Sequence, residues 1–183
     1  ADTYHADPAA VFPMGFSAGG HLAGCAALLW NRPEIVRAME KKAAAYRPDG
    51  VVLCYPVVSA GPRAHRDSFL NLLGDQYEKK APSLSLENQV KKGAPPFFLW
   101  HTADDTTVPM ENTRLLETAL RDRGVPVETH IFPHGVHGQS LADTTVFALD
   151  RLWQLSVPCS AWVERCHIWL QRSFCSSGGR EEA

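Results

Sequence analysis

The sequence has no excess of charge of either sign. Among 183 residues, 18 lysines and arginines face 20 aspartates and glutamates, so the formal net charge is −2. A nucleic-acid-binding protein needs a basic stripe, and no apolar run approaches the roughly 18 residues that a membrane span requires. We therefore predict that the protein has neither a nucleic-acid partner nor a membrane partner.

Cysteines are also few, and the five that are present follow neither zinc-ligand nor redox spacing. An odd number without such spacing predicts reduced thiols rather than a disulfide framework. We expect Cys25 and Cys54 to act as small buried hydrophobic residues. Cys159, Cys166 and Cys175 are expected to be partly exposed, in or near the last helix.

The N-terminal residues lack the pattern of a signal peptide, because Asp2 and Asp7 stand where a basic and then an apolar region would be. The expected compartment is the cytoplasm, with secretion left open in case upstream sequence is missing. The composition, 45% hydrophobic and 21% charged, is that of a globular domain with enough chain to form a core.

The most informative motif is Gly15-Phe16-Ser17-Ala18-Gly19, which stands between an apolar run over residues 9–14 and an amphipathic run over residues 20–30. A G-x-S-x-G between a strand and a helix is the pattern of a nucleophile elbow. Its two glycines allow a sharp turn that leaves the serine hydroxyl exposed at a helix N-terminus. Ser17 is therefore the candidate nucleophile, and the backbone N–H of Ala18 is the candidate oxyanion donor.

A serine nucleophile needs a histidine base and an acid that orients the imidazole, and in this type of fold the order is Ser, Asp, His. Residues 95–101 are typical of a buried strand, and the loop after it contains Asp104 and Asp105. Residues 127–132 alternate like a strand and precede a loop with two histidines. These loops are where an acid and a base belong, because the carboxyl ends of parallel strands meet at one edge of a sheet.

Three histidines, His130, His134 and His137, are close enough in sequence to suggest a metal site. One strand residue and two loop residues do not present three nitrogens to one tetrahedral ion, so we expect no metal. His21, on the first turn of the helix after the elbow, is expected to pack or hydrogen-bond locally. His101, at a strand end, is expected to support the acid loop.

Four longer segments carry a resemblance to a known family: residues 15–23, 68–74, 95–109 and 130–138, with a weaker match at Trp162-Val163-Glu164 and Trp169-Leu170. They resemble α/β-hydrolase serine esterases of the acetyl-esterase and acetyl-xylan-esterase-like group, which look like dienelactone hydrolases but carry serine at the elbow. The resemblance covers most of residues 9–174.

The resemblance implies Ser17 as nucleophile, Asp105 as orienting acid and His137 as general base, with no cofactor. The family pattern His-x-x-x-Asp-x-x-Val-Pro favours Asp105 over Asp104, which is left as a turn residue that caps its own backbone. His134 falls one turn early in the loop, which favours His137 over it.

The resemblance also implies an α/β fold, an α/β-hydrolase-type, mostly parallel sheet flanked by helices. Only 16 residues precede Ser17, and the loop that supplies a second oxyanion donor in the family has no counterpart. We therefore expect an N-terminally truncated fold with about the last four strands, as a single partial domain over residues 1–175 and a flexible tail over residues 176–183. The elbow strand would then have an open edge, which predicts a homodimer, strand addition or aggregation.

Sequence patterns place the remaining elements between these motifs. We predict helices over residues 20–30, 33–46, 68–73, 82–90 and 111–123, a strand over residues 51–58, and a last helix around Trp162, Cys166 and Trp169. Residues 59–94 form either a lid over the active site or a surface excursion that covers the sheet edge. Residues 140–156 form either a helix or an extra loop before the last helix.

The function expected from these residues is hydrolysis of a carboxylic ester by a serine nucleophile. The resemblance suggests small acyl groups, acetyl above all, on sugars or oligosaccharides. The first alternative is a catalytically impaired fragment or pseudoenzyme that keeps the triad and lacks the oxyanion loop. A serine peptidase of the oligopeptidase type ranks lower, because the chain has no room for the gating domain such enzymes carry.

Overall fold

The computed structural model describes residue 7 and residues 10–39 and 42–174. Four strands form one sheet in the order β1-β2-β3-β4, and each neighbouring pair is parallel. Their bounds are β1 Met14–Phe16, β2 Val51–Cys54, β3 Phe97–Thr102 and β4 Val127–Phe132. The predicted α/β class with a parallel sheet is confirmed.

Helices connect and flank these strands. The α-helices of the described ranges are α1 Ala18–Leu29, α2 Pro33–Ala38, α3 Arg66–Leu73, α4 Tyr77–Leu84, α5 Glu111–Asp122 and α6 Ala161–Phe174. Shorter 3-10 helices cover Ala43–Tyr46, Gly74–Gln76, Leu86–Asn88, Leu149–Gln154 and Val157–Ser160. None of the helices in these ranges is long and apolar enough to cross a membrane.

The two central strands, β2 and β3, are buried on both faces, as parallel strands covered by helices on each side usually are. Side chains of one face, such as Leu53 and Leu99, pack with α1 and α5. Side chains of the other face, such as Cys54 and Trp100, pack with α6. The sheet is therefore held between two apolar layers, and its carboxyl edge is fixed relative to both.

Two strands differ from their predicted bounds. The first strand is Met14–Phe16 rather than the apolar run over residues 9–14, so it leads directly into Ser17. The second ends at Cys54 rather than at residue 58, because Tyr55 has a φ of 37° and leaves the extended conformation. Both changes place a strand end at the same edge of the sheet.

Several helical segments also differ. The predicted helix over residues 33–46 is broken into α2 and a 3-10 helix, since α2 has no buried residue and therefore no packed face to extend it. The second helix of the 59–94 segment is Tyr77–Leu84 rather than residues 82–90, with Pro82 inside it. Of the two alternatives for residues 140–156, the structure has the loop, which contains one 3-10 helix. The expected tail, residues 176–183, lies outside the described residues.

Within the described ranges β1 pairs with β2 alone. A broad groove, called here the edge groove, lies beside the segment that leads into β1 and is also lined by α1. This edge groove has a volume of about 1020 Å³. Its lining is mostly apolar and includes Val11, Phe12, Pro13, Leu22, Ala26, Trp30 and Ile35. Among these side chains Leu22 is 71% exposed. The residues that line it do not include Ser17, Asp105 or His137.

Candidate active site

Ser17 lies at a strained turn between β1 and α1. Its φ of 54° and ψ of −119° are far from the ordinary regions for a residue with a side chain. Three backbone hydrogen bonds hold it there: its N–H donates to Cys54 O at 3.0 Å, and its carbonyl accepts from Val57 N–H at 3.1 Å and from His21 N–H at 3.2 Å. Its hydroxyl makes no capping bond to α1 and remains available to a side-chain partner.

The geometry of this turn requires a glycine at one of the two motif positions. A Cβ at Gly15 would lie 2.1 Å from Gly19 O and 2.4 Å from Gly19 C, far inside contact distance. A Cβ at Gly19 would meet nothing within 4 Å. The sequence-based expectation that both glycines permit the turn is thus wrong for Gly19, whose side of the helix faces open space.

The three predicted side chains, Ser17, Asp105 and His137, lie in one connected row. The Ser17 hydroxyl is 2.8 Å from His137 Nε2, and His137 Nδ1 is 2.6 Å from Asp105 Oδ2. An imidazole that donates from Nδ1 to the carboxylate presents an acceptor at Nε2 to the serine. This arrangement can take a proton from Ser17 and stabilise the resulting imidazolium.

Asp105 is fully buried at its side chain and is surrounded by donors. Its Oδ1 accepts the N–H groups of Thr107 and Val108, each at 2.9 Å, and its Oδ2 is also 3.3 Å from His101 Nε2. Burial alone would raise the pKa of this carboxyl, but the hydrogen bonds from His101, His137 and Val108 outweigh it and hold the pKa far below its usual range. The carboxylate is therefore charged and fixed in orientation.

His101 supports the acid loop as predicted. Its Nδ1 lies 2.8 Å from Thr113 Oγ1 and its Nε2 lies 2.9 Å from Val108 O. A carbonyl oxygen only accepts, so Nε2 carries the proton. His101 is fully buried and joins the start of the acid loop to its end.

Asp104 bonds its own backbone as predicted and also has two partners in the histidine loop. Its Oδ1 accepts the N–H of Gly135 at 2.7 Å, and its Oδ2 lies 3.2 Å from His134 Nδ1. Asp104 therefore connects the acid loop to the histidine loop through His134 and Gly135. Both side chains are largely exposed, so this contact is weaker than the buried row beside it.

The remaining histidines have separate partners. His21 has the expected local contact, since its Nδ1 lies 3.8 Å from Cys25 Sγ. Its Nε2 also lies 2.8 Å from Leu84 O and its ring packs edge-on against Phe69, which joins α1 to the 59–94 segment. Burial lowers the pKa of His21. His130 lies between Glu128 and Arg165. In the part of the chain that the structure describes, no three His, Cys, Asp or Glu residues form a group that would hold a metal ion.

The cysteines of the described ranges are free thiols. Cys54 is buried as expected, whereas Cys25 is half-buried rather than buried. Cys159 and Cys166 are buried rather than partly exposed. Both thiols belong to the apolar layer that α6 forms against the sheet, which removes them from solvent. Burial raises the pKa of the Cys166 thiol to about 11, which makes it a poor nucleophile. Cys175 lies outside the described residues.

Two buried polar side chains that support the site gave no signal in the sequence. Gln139 is fully buried, donates to Gln154 O at 2.8 Å and accepts from Ser156 N–H at 2.9 Å, so it fixes the end of the histidine loop. Asn112 accepts the N–H groups of Val58 and Ser59. Asparagine and glutamine side chains are common in loops and helices, and only burial in the folded structure distinguishes Gln139 and Asn112 from the others.

Two further features lie next to the row, the N–H of Ala18 and a surface cleft beside His137. Ala18 is the exposed first residue of α1, so its N–H has no intrahelical acceptor and lies at the positive end of the helix. A cleft of about 460 Å³ borders His137. Its other lining residues are Gly138, Val146, Phe147, Ala148, Asp150, Arg151 and Gln154.

The strand order, the strained serine after β1 and the loops that follow β3 and β4 are those of an α/β hydrolase. The chain belongs to the BD-FAE family of α/β-hydrolase esterases, whose family model matches residues 1–120. The predicted resemblance to this group is therefore confirmed.

Two curated relatives are longer enzymes. The chain is 38% identical over 154 residues to endo-1,4-beta-xylanase B of Butyrivibrio fibrisolvens, and covers 23% of it with 81% of its own length. It is 31% identical over 144 residues to an acetylxylan esterase of Xylanibacter ruminicola, and covers 28% of it with 75% of its own length. The chain thus spans about a quarter of the length of these relatives.

Two solved structures share the fold. An acetyl ester-xyloside bifunctional hydrolase from Caldicellulosiruptor lactoaceticus has a TM-score of 0.71 and 39% identity, with 87% of this chain and 55% of that chain covered. A carboxylesterase from Lactobacillus plantarum has a TM-score of 0.76 and 25% identity, with 93% and 61% covered. This chain therefore spans somewhat more than half of the length of each of these proteins.

Proposed function

We propose that this chain carries the catalytic residues of a carboxylic ester hydrolase that acts on small acyl groups. The observation that supports this most directly is the row Ser17–His137–Asp105, with distances of 2.8 and 2.6 Å. Membership of an esterase family supports the same chemistry.

In the proposed reaction Ser17 Oγ attacks the acyl carbonyl while His137 Nε2 takes its proton. The negative charge that develops on the carbonyl oxygen is stabilised by the N–H of Ala18. When the intermediate collapses, the bond to the alcohol oxygen breaks and His137 returns the proton to that oxygen. A water molecule then attacks the acyl-serine with His137 again as base, which releases the acid and restores Ser17.

The cleft beside His137 supports the proposed substrate class. Since His137 protonates the departing alcohol, that alcohol lies next to this side chain. The cleft there offers the charged groups of Asp150 and Arg151, the amide of Gln154 and the ring of Phe147, which suit a hydroxyl-rich group such as a sugar. Among the relatives, an acetylxylan esterase and an acetyl ester-xyloside hydrolase support acetyl as the acyl group.

Covalent labelling and a substrate series together test this proposal. Diisopropyl fluorophosphate is expected to modify Ser17, located by peptide mass spectrometry, and to leave Ser17→Ala unmodified. Among p-nitrophenyl esters, acetate is expected to be hydrolysed faster than butyrate and octanoate, and acetylated xylo-oligosaccharide is expected to release acetate.

The outcomes separate the alternatives. No labelling, with equal and slow hydrolysis by wild type and Ser17→Ala, would contradict the esterase proposal and favour the catalytically impaired chain. Labelling at Ser17 with a preference for octanoate would keep the nucleophile and contradict the small-acyl proposal.

We also propose that two copies of this chain associate through the open edge of β1 and the edge groove. Unpaired strand edges beside apolar surface favour such pairing. Light scattering over a concentration series is expected to show a rise towards twice the chain mass, and Leu22→Lys is expected to suppress it. Leu115→Lys is the matched control, because Leu115 is exposed on α5 and does not line the groove. A mass that stays constant with concentration would contradict this association.

A further inference from the structure

Tyr55 is the first residue after β2, and the predicted site does not include it. It is only 4% exposed, and its φ of 37° is rare for a bulky side chain. Its N–H donates to Trp100 O at 2.7 Å, which fixes the turned backbone against β3. Backbone strain of this kind persists only where surrounding contacts enforce it.

The turn at Tyr55 also bears on the nucleophile. Two residues later the N–H of Val57 donates to the carbonyl of Ser17, and directly before it Cys54 O accepts the N–H of Ser17. The chain from residue 54 to residue 57 therefore wraps the elbow, and the Tyr55 ring lies 5.9 Å from that of Phe16, directly before Ser17.

Two contacts join the Tyr55 side chain to the histidine loop. Its ring lies edge-on to the His137 imidazole, with centroids 5.0 Å apart and an interplanar angle of 71°. Its hydroxyl oxygen accepts the N–H of Ser140 at 3.0 Å, where the chain again has a positive φ. Behind it the ring packs perpendicular to Trp100 at 5.0 Å, so it has little freedom to move.

We infer that Tyr55 is a positioning residue for His137: its ring and hydroxyl hold the histidine loop so that Nε2 stays within reach of Ser17. This inference rests on the proposed function for its catalytic meaning, but the placement of His137 is measurable without turnover. Burial raises the pKa of the Tyr55 hydroxyl to about 12, so this side chain is neutral and supplies no charge to the site.

Three variants separate positioning from general packing. Tyr55→Phe keeps the ring and loses the bond to Ser140, and Tyr55→Leu loses both. Phe98→Leu is the matched control, because Phe98 is fully buried in the same apolar layer and contacts His130 and Trp169 rather than the triad. Each variant is examined for the rate constant of Ser17 labelling by diisopropyl fluorophosphate, for kcat and KM, and for its melting temperature.

A displacement of about 1 Å at a reacting group typically costs 10²-fold, so Tyr55→Leu is expected to label about 100-fold more slowly, with kcat lowered and KM little changed. Tyr55→Phe is expected to lose about tenfold or less, which corresponds to one buried hydrogen bond. Phe98→Leu is expected to melt at a lower temperature and to label at the wild-type rate.

Proton NMR gives a second reading that needs no catalysis. The downfield signal of His137 Nδ1–H, identified by its loss in His137→Gln, is expected to shift or broaden in Tyr55→Leu and to persist in Phe98→Leu. Labelling rates and a His137 signal that match wild type in Tyr55→Leu would overturn the inference, as would equal losses in Tyr55→Leu and Phe98→Leu. If wild type is not labelled at all, the esterase proposal fails while the NMR comparison still decides the role of Tyr55.

Discussion

Asp105→Asn is expected to lower kcat for p-nitrophenyl acetate about 10⁴-fold while KM stays nearly unchanged, the typical consequence of an amide in the place of this acid. The reason lies in the donors around Asp105. Its Oδ1 accepts two backbone N–H groups, so an asparagine would keep its oxygen there and turn its NH₂ towards His137. The imidazole would then accept at Nδ1, carry its proton on Nε2 and be unable to take a proton from Ser17.

Asp104→Asn is the matched control, since it makes the same chemical change one residue earlier. The asparagine oxygen would still accept the N–H of Gly135, and only the exposed charge opposite His134 would be lost. Exposed pairs contribute at most about 1 kcal/mol, a factor of about five, so activity is expected to fall no further than that. A large loss in Asp104→Asn with wild-type activity in Asp105→Asn would reassign the acid.

Gly15→Ala is expected to destabilise the protein and to displace the nucleophile at the same time. A methyl group 2.1 Å from the carbonyl oxygen of Gly19 forces the elbow backbone apart. Overpacking at about 3 kcal/mol lowers the melting temperature by roughly 6–12 °C in a domain of this size. The measurements are the melting temperature and the rate constant of Ser17 labelling, and both are expected to be lower than in wild type.

Gly19→Ala is the control for this steric argument. The new methyl group would meet nothing within 4 Å, and alanine is favoured over glycine in helices by up to about 1 kcal/mol. An unchanged or slightly higher melting temperature is expected. If Gly19→Ala were as unstable as Gly15→Ala, the contact with the Gly19 carbonyl would not be the cause.

The G-x-S-x-G motif and the order Ser, Asp, His along the chain were sufficient to predict that Ser17, Asp105 and His137 lie in one site. Ser17 directly follows β1, and Asp105 and His137 lie in the loops that follow β3 and β4. The parallel sheet brings the ends of these strands to one edge. The catalytic roles remain proposals, and the labelling and Asp105→Asn experiments test them.

Other features could not be predicted because they depend on contacts between distant segments. The end of β2 is set by a positive φ at Tyr55, a residue type that usually continues a strand. The partner of His21 is a carbonyl in the 59–94 segment, and the partner of Asp104 is an amide in the histidine loop. Periodicity describes one element at a time and does not report which loops meet.

The site also constrains how the protein folds. His137 and Ser17 are 120 residues apart in sequence, and His137 and Asp105 are 32 apart, yet each pair is joined by a direct hydrogen bond. The Ser17–His137–Asp105 row is not contained in any hairpin or single helix–strand unit. Contacts of such high sequence separation form late, because loop closure must precede them. The row is complete only when β1, β2, β3 and β4 are all paired, so an intact Ser17–His137–Asp105 row is a report of complete folding of the sheet.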